Sequence, residues 1–334
     1  MRIVLTGASS FTGYWFVRAL VENGHEVIAT LSSPDYADAY TGVRATRLAK
    51  LKTLVQTQFA APFGSDAFLD MLHQIEPFDA LCHHWAEVRG YREPNFDAVA
   101  ALAANTNRLT DVLHAMKDAG CGSMVLTGSV FEQNEGIGNE PMRAFNPYGL
   151  SKGLTSAVCA FYCEREGMPL DRFVIPNPFG PYEEPRFTDY LMRTWLAGGT
   201  ARVGTPRYVR DNIHVDLLAK SYAGFVTAPE PKGGRKLGPS GYAESQGSFA
   251  ERVAREVRAR TKLDCALSFA EQTEFPEPET RINTTPVDGA ASSWSEAAAW
   301  DEFTRYYQAL YANLVTRNQQ TPGRVTMTMR GSFC

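Results

Sequence analysis

The chain has 334 residues, is 44% hydrophobic and carries a formal net charge of -4 with a pI near 5.9. Such a length and apolar content bury a substantial core in one large or two smaller domains, which excludes a disordered chain. The acidic balance, without a basic stripe, argues against a nucleic-acid partner, since the arginine-rich "ERVAREVRARTK" also carries glutamates and reads as a solvated helix face. No apolar run approaches the length of a membrane span, and the short "RIVL" lacks the apolar core of a secretion signal, so a cytoplasmic protein is expected.

In chain order, the apolar run "RIVLTG" is followed by the amphipathic "TGYWFVRALVENG", then "HEVIATL", "FDALCHHWA", "NTNRLTDVLHAMKDAG" and "SMVLTGS". This rhythm predicts strands alternating with helices, hence an α/β Rossmann-like, doubly wound parallel sheet with helices on both faces. A dinucleotide-binding domain is expected over residues 1–170 and a smaller substrate-binding region over 171–334, with about 210–235 returning to the sheet. His83 and His84 are neighbours and so point to opposite sides of a strand, a poor arrangement for a metal. The six cysteines show no framework spacing. The Pro- and Gly-rich "IPNPFGPYEEP" and "APEPKGGRKLGPSG" read as loops that shape a cleft. Farther on, Trp294, Trp300, Tyr306, Tyr307 and Tyr311 read as packing residues, and the tail alternates Val325, Met327 and Met329 as a strand does.

Between the first strand and the first helix lies "TGASSFTG". Gly7, Ser10 and Gly13 occupy the three positions of a glycine-rich dinucleotide turn, with Ser9, Phe11 and Thr12 between them. Glycine is wanted there for the tight turn and for close approach of backbone to a pyrophosphate, while the helix N-terminus offers free N–H groups. Serine at the middle position is the smallest substitute and adds a hydroxyl. At the end of the second strand an acid would hold the adenosine ribose of NAD, and a nearby arginine the 2'-phosphate of NADP. The chain has Leu31, Ser32 and Ser33 there, with Asp35 and Asp38 late for the ribose and Arg44 or Arg47 in reach only if the next loop folds back. NAD and NADP both stay open.

Farther along, "NPYGLSKG" places Tyr148 and Lys152 on one helix face, because Asn146-Pro147 disfavours helix before the pair and the apolar spacing beyond it is helical. A phenol titrates near ~10, so work as a base at neutral pH needs ~4 kcal/mol of help. One cation at ~4 Å supplies about that much at an effective dielectric of ~20.

Together these segments resemble the extended short-chain dehydrogenase/reductase superfamily, in particular its nucleotide-sugar epimerase/dehydratase group, from Met1 to about Ala219. "TGASSFTG" looks like the TGxxGxxG turn, "DALCHHWAE" like the DxVxHLAA strand end, and "NTNRLTDVL" like the NxxGTxNLL helix start. "VLTGSVFE" resembles the strand that ends in the catalytic Ser or Thr, "NPYGLSK" the YxxxK element, "IPNPFGPYEEPRF" the NxYGP loop and "YVRDNIHVDLLA" the RDFIxVDDxA segment.

The resemblance implies a triad in which Tyr148 is the general base or acid, Lys152 holds the nicotinamide ribose and lowers the tyrosine pKa, and Thr127 hydrogen-bonds the reacting oxygen. Ser129, of the same strand parity, is the rival for Thr127. It also implies that Trp85, Ala86, Asn105 and Pro176 line the NAD or NADP site together with the turn residues and Ser32. Asn177 and Arg210 match positions that contact a nucleotide diphosphate, while Arg89, Tyr91 and Ser129 are candidates for the sugar pocket. A nucleotide-sugar substrate and a homodimer follow by the same likeness.

Three departures stand out: Trp85 at a usually small position, Gln58 where an adenine-contacting Asp is common, and Val174 where an arginine is common. Gly128-Ser129 replaces the Asp-Glu pair that 4,6-dehydratases need, so that activity is disfavoured. Epimerisation of a nucleotide sugar comes first, reduction of a 4-keto sugar or related carbonyl second, and a non-catalytic dinucleotide-binding protein third.

Overall fold

Hydrophobic alternation turns into structure in the expected way: the burial of "RIVLT" and "ALCH" on both faces marks interior strands of a covered sheet. The computed structural model describes residues 1–36, 39–75, 77–229, 232–287, 289 and 293–314. The first part runs β1 (Arg2–Thr6), α1 (Phe11–Glu22), β2 (Glu26–Thr30), α2 (Gly42–Leu54), β3 (Gln56–Gln58), α3 (Asp66–Gln74), β4 (Ala80–His83), α4 (Ala98–Asn105) and α5 (Leu109–Asp118). Next come β5 (Ser123–Ser129), β6 (Ile137–Gly138), α6 (Pro147–Glu166), β7 (Leu170–Ile175), β8 (Asn177–Phe179), α7 (Phe187–Leu196), β9 (Ala201–Val203), β10 (Val209–His214) and α8 (Val215–Thr227). The described chain finishes with β11 (Lys236–Leu237), β12 (Pro239–Ser240), β13 (Tyr242–Ser245), α9 (Gln246–Arg260), β14 (Leu267–Phe269), β15 (Thr280–Ile282), β16 (Thr285–Pro286) and α10 (Glu296–Leu310).

Seven strands form one parallel sheet in the order β11-β7-β5-β4-β1-β2-β3. The order reverses at β1, between β4 and β2, which is where an open α/β sheet of this kind opens a crevice for a dinucleotide. One apolar core lies between the sheet and α1 with α8, a second between the sheet and α3, α5 and α6. Alternation along β5 feeds both, Val125 into the first and Met124 and Leu126 into the second. The adjacent histidines divide likewise: His83 stacks on Phe63 and His84 meets Phe16 edge-on.

The large sheet continues beyond residue 170, because β7 pairs with β5 over its whole length, and α8 and β11 then return to it. A second sheet, β13-β10-β15-β6 with β8 beside β10, sits with α7, α9 and α10 around a third core that contains Trp195, Phe249, Trp300 and Tyr307. Strand β6 is contributed by the first half of the chain, so the two sheets are interleaved in sequence. Val325, Met327, Met329 and Asp38 lie outside the described residues.

Candidate active site

The turn after β1 is tight because its two glycines have no room for a side chain. Gly7 sits at φ +74, and a Cβ there would lie 2.8 Å from the Trp85 Cα; a Cβ on Gly13 would lie 2.3 Å from the Gly7 carbonyl oxygen. Ser10 adopts φ -69, which suits any residue, so serine costs nothing conformationally at the middle position. Its hydroxyl is not left for a ligand: it donates to Gly7 O at 2.8 Å, accepts from Gly13 N at 3.1 Å as the N-cap of α1, and lies 3.0 Å from His84 Nε2. The sequence reading missed His84, which also lies 3.1 Å from Thr12 Oγ1 and which burial keeps neutral, with a pKa pulled down to about 3. Among the described residues nothing accepts from the N–H groups of Phe11 and Thr12, which therefore remain for an anion at the α1 N-terminus.

Trp85 does not narrow the turn with its ring. Its backbone N–H donates to Thr6 Oγ1 at 2.9 Å while the indole packs against the second core. Ala86 and Ser32 are half-buried nearby, and Pro176 is buried between β7 and β8. Asn105 needs a correction. It is fully buried, donates to Thr155 Oγ1 at 3.1 Å and accepts from Glu87 N at 2.8 Å, so it braces the loop after β4 against α6 rather than meeting a cofactor.

Tyr148 and Lys152 both lie in the first two turns of α6, which Asn146 caps by accepting from Gly149 N at 2.9 Å. Their expected coupling is absent from the protein alone. Lys152 is buried and donates to the backbone carbonyl of Thr127 at 2.6 Å, and burial pulls its pKa below the usual lysine value. Burial, then the charge of Glu132, then Tyr91 push the Tyr148 phenol well above its ordinary value, with Arg186 opposing them. Tyr91 and Phe96, from the loop after β4, pack on the ring at centroid distances of 5.3 and 6.4 Å.

Thr127 and Ser129 lie at the C-terminal end of β5. The Thr127 hydroxyl is buried without a hydrogen-bond partner and faces Tyr222 on the α8 side of the sheet. Ser129 is half-buried, and its Oγ accepts from Phe131 N at 3.2 Å. Glu132, three residues beyond Ser129, turns back beneath both. Its carboxylate accepts from Ser129 N at 2.6 Å and pairs with Arg172 at 3.0 Å, and its Oε1 would lie 2.9 Å from a Cβ on Gly128. The glycine thus makes room for an acid supplied from farther along the chain. Burial raises the Glu132 pKa against the pull of Lys152 and Arg172.

A cleft of ≈ 660 Å³ opens beside Asn146 and Pro147, large enough for a substrate of several rings. Asn177 and Arg210 both line it. Arg210 is fixed over Phe145 and Tyr208 at 5.0 and 4.5 Å and pairs with Glu277 at 3.1 Å, while the adjacent Asp211 accepts from Gly241 N. Arg89 is a correction: it reaches into solvent, 91% exposed, gripped by Glu87 at 2.9 Å, because an acid two residues away competes with any pocket. Tyr91 and Arg92 line the cleft in its place, together with Arg186 and the buried Glu183, whose pKa burial pushes up to about 7. No local signal in "YEEPRF" sets Glu183 and Arg186 apart from surface charges.

A parallel doubly wound sheet, a glycine turn opening onto a free helix N-terminus, and a tyrosine and lysine one helical turn apart beside a cleft define a dinucleotide-binding enzyme of the extended short-chain dehydrogenase type. The chain belongs to the NAD dependent epimerase/dehydratase family, whose profile matches residues 3–236, and the cofactor of such proteins is NAD or NADP. A UDP-glucose 4-epimerase of Mycolicibacterium smegmatis is 24% identical over 292 residues, 83% of this chain and 86% of that one. Of solved structures, a UDP-glucuronic acid 4-epimerase from Bacillus cereus, in complex with UDP-glucuronic acid and NAD, superposes with TM-score 0.69 at 18% identity over 93% of this chain and 100% of its own. A dTDP-glucose 4,6-dehydratase from Streptomyces venezuelae with NAD bound gives 0.66 at 19%, over 94% and 100%. Likeness at this identity speaks to the fold.

Proposed function

We propose that this protein is an epimerase of a nucleotide sugar, moving hydride at a ring carbon with Tyr148 as the group that takes and returns the hydroxyl proton. The observation that carries the reading is the placement of Tyr148 at the start of α6, directly after Asn146 and Pro147 of the ≈ 660 Å³ cleft and under the cleft residue Tyr91, with Lys152 one turn behind it. When bound, the oxidised nicotinamide supplies the hydride acceptor and a positive charge. Lys152, released from the Thr127 carbonyl, adds a second charge that stabilises the phenolate. Ser129 hydrogen-bonds the reacting oxygen in place of Thr127, whose hydroxyl is buried toward Tyr222, and Asn177 with Arg210 orient a diphosphate, for which a planar guanidinium is suited. Tyr91 and Phe96 exclude water from the phenol. The same reading makes the assembly a homodimer.

Reduction of a keto sugar is the second reading, and the absence of an acid at Leu31 to Ser33 favours it, since a loosely held cofactor exchanges each turnover. A substrate deuterated at the reacting carbon separates the two. An epimerase keeps the label in its product and leaves no net change in cofactor; Tyr148→Phe then loses about 10² to 10⁴ in rate with cofactor binding intact. Stoichiometric oxidation of added NADPH or NADH, with cofactor deuterium in the sugar, would replace epimerase by reductase.

A further inference from the structure

The loop after β2 does fold back, and it brings a cation to the adenosine end of the turn. Arg44, in the first turn of α2, donates from Nε and Nη2 to Ser9 Oγ at 3.1 and 2.9 Å, and its guanidinium lies 4.9 Å from the centre of the Tyr40 ring. Tyr40 in turn donates to the carbonyl of Ser33 at 3.2 Å. Arginine, aromatic ring and strand end therefore form one unit that joins α2 to the end of β2. Thr6 and Thr30 are register partners, so Ser9 and Ser32 stand on the two chain segments that leave neighbouring strands, where the adenosine ribose of a dinucleotide lies.

The charges there are uneven. Arg47 is fully buried and committed: it donates to Ser9 O at 2.9 Å and to Tyr182 O at 2.6 Å, and pairs with Glu184. Arg44 is only half-buried, and no carboxylate among the described residues pairs with it. Asp35, the first acid after β2, is held away by Lys52 at 2.6 and 2.8 Å. Among the described residues no unpaired acid of the kind that holds the ribose of NAD stands there, while a half-buried guanidinium does, resting on the buried Ser9 hydroxyl.

We propose that Arg44, with Ser9 and Ser32, is a 2'-phosphate subsite, and that the protein takes NADP(H) in preference to NAD(H). The inference rests on the dinucleotide reading of the β1–α1 turn and is independent of the choice between epimerase and reductase. The Tyr40 ring and the buried Ser9 hydroxyl, which accepts from Nε and Nη2, hold the guanidinium plane for the phosphate. The pair of charge-assisted bonds that a fork of this kind makes accounts for the preference.

Binding to the full chain, measured by calorimetry with NADPH, NADH, 2',5'-ADP and 5'-ADP, tests it without turnover. The expected result is at least tenfold tighter binding of the two 2'-phosphorylated probes, lost to within about twofold in Arg44→Ala and weakened steeply by salt. Ser32→Asp, which installs the missing acid on a half-buried position, should shift the preference toward NADH. Equal or tighter binding of NADH by the unaltered chain, or an NADPH preference unmoved in Arg44→Ala, overturns the subsite while leaving the turn in place. Failure to bind any of the four overturns the dinucleotide reading of the turn and the subsite with it.

Discussion

At the scale of single residues, Glu132 governs how the tyrosine works. Burial first and then its buried carboxylate raise the Tyr148 pKa, and the same carboxylate opposes the burial that lowers that of Lys152. Glu132→Gln keeps an acceptor for Ser129 N but removes the negative charge. The phenol pKa then falls, and the acidic limb of the pH profile of kcat/KM for hydroxyl oxidation should move to lower pH. An unmoved limb in the folded variant would mean that Glu132 acts only as a strut for Arg172 and β5. The same residue explains why Gly128 is small, which the sequence shows only as an absent acid.

The helices carry the next scale. Ser10 at the start of α1 shows how a turn can lose its middle glycine yet keep its shape, since the side chain closes the same turn from within. On α6, Leu150, Leu154, Ala157 and Phe161 recur at helical spacing on the outward side, with Leu150 41% and Phe161 62% exposed. Val99 and Ala103 lie exposed on α4, which packs beside α6. We propose these exposed apolar residues on two neighbouring helices as the contact face of the homodimer. Phe161→Glu is expected to convert a dimer into a monomer with unchanged circular dichroism, as read by light scattering. A monomeric unaltered chain at micromolar concentration would remove the homodimer from the reading.

For the molecule as a whole, buried polar groups knit the sheets together and make its stability depend on pH. Arg281 of β15 is fully buried and donates to the carbonyls of Glu132 at 3.1 Å and Arg143 at 2.8 Å, tying the second sheet to the loop between β5 and α6. Glu183 accepts from Tyr307 at 3.1 Å and from Thr188, joining the cleft to the third core. Burial raises its pKa from 4.5 to about 7 in the folded chain. The folded state therefore binds this proton more tightly than the unfolded state. Its contribution to stability is fully present below the unfolded value and is lost as pH rises toward 7, on the order of 3 kcal/mol. Glu183→Gln mimics the protonated side chain, so its Tm should match that of the unaltered protein near pH 4.5 and exceed it at pH 8. Equal pH dependence in the two proteins would show that this carboxyl ionises freely.

Local chemistry alone determined the sheet class, the turn after β1 and the helix that carries Tyr148 and Lys152, because each is written in periodicity, caps and spacing over a few neighbouring residues, whereas Asn177 and Arg210 were singled out only through the family resemblance. What only the tertiary structure decided depends on distant segments meeting. The sequence has no local sign that Arg44 folds back onto Ser9, that Glu132 fills the space left by Gly128, or that His84 backs Ser10. Nor does it show that Asn105 braces a loop, that Arg89 is taken by Glu87 into solvent, or that burial overrides Lys152 in setting the tyrosine pKa. Side-chain direction and desolvation are properties of the packed surroundings, and a charge at i+4 cannot reveal whether another acceptor, here the Thr127 carbonyl, lies closer.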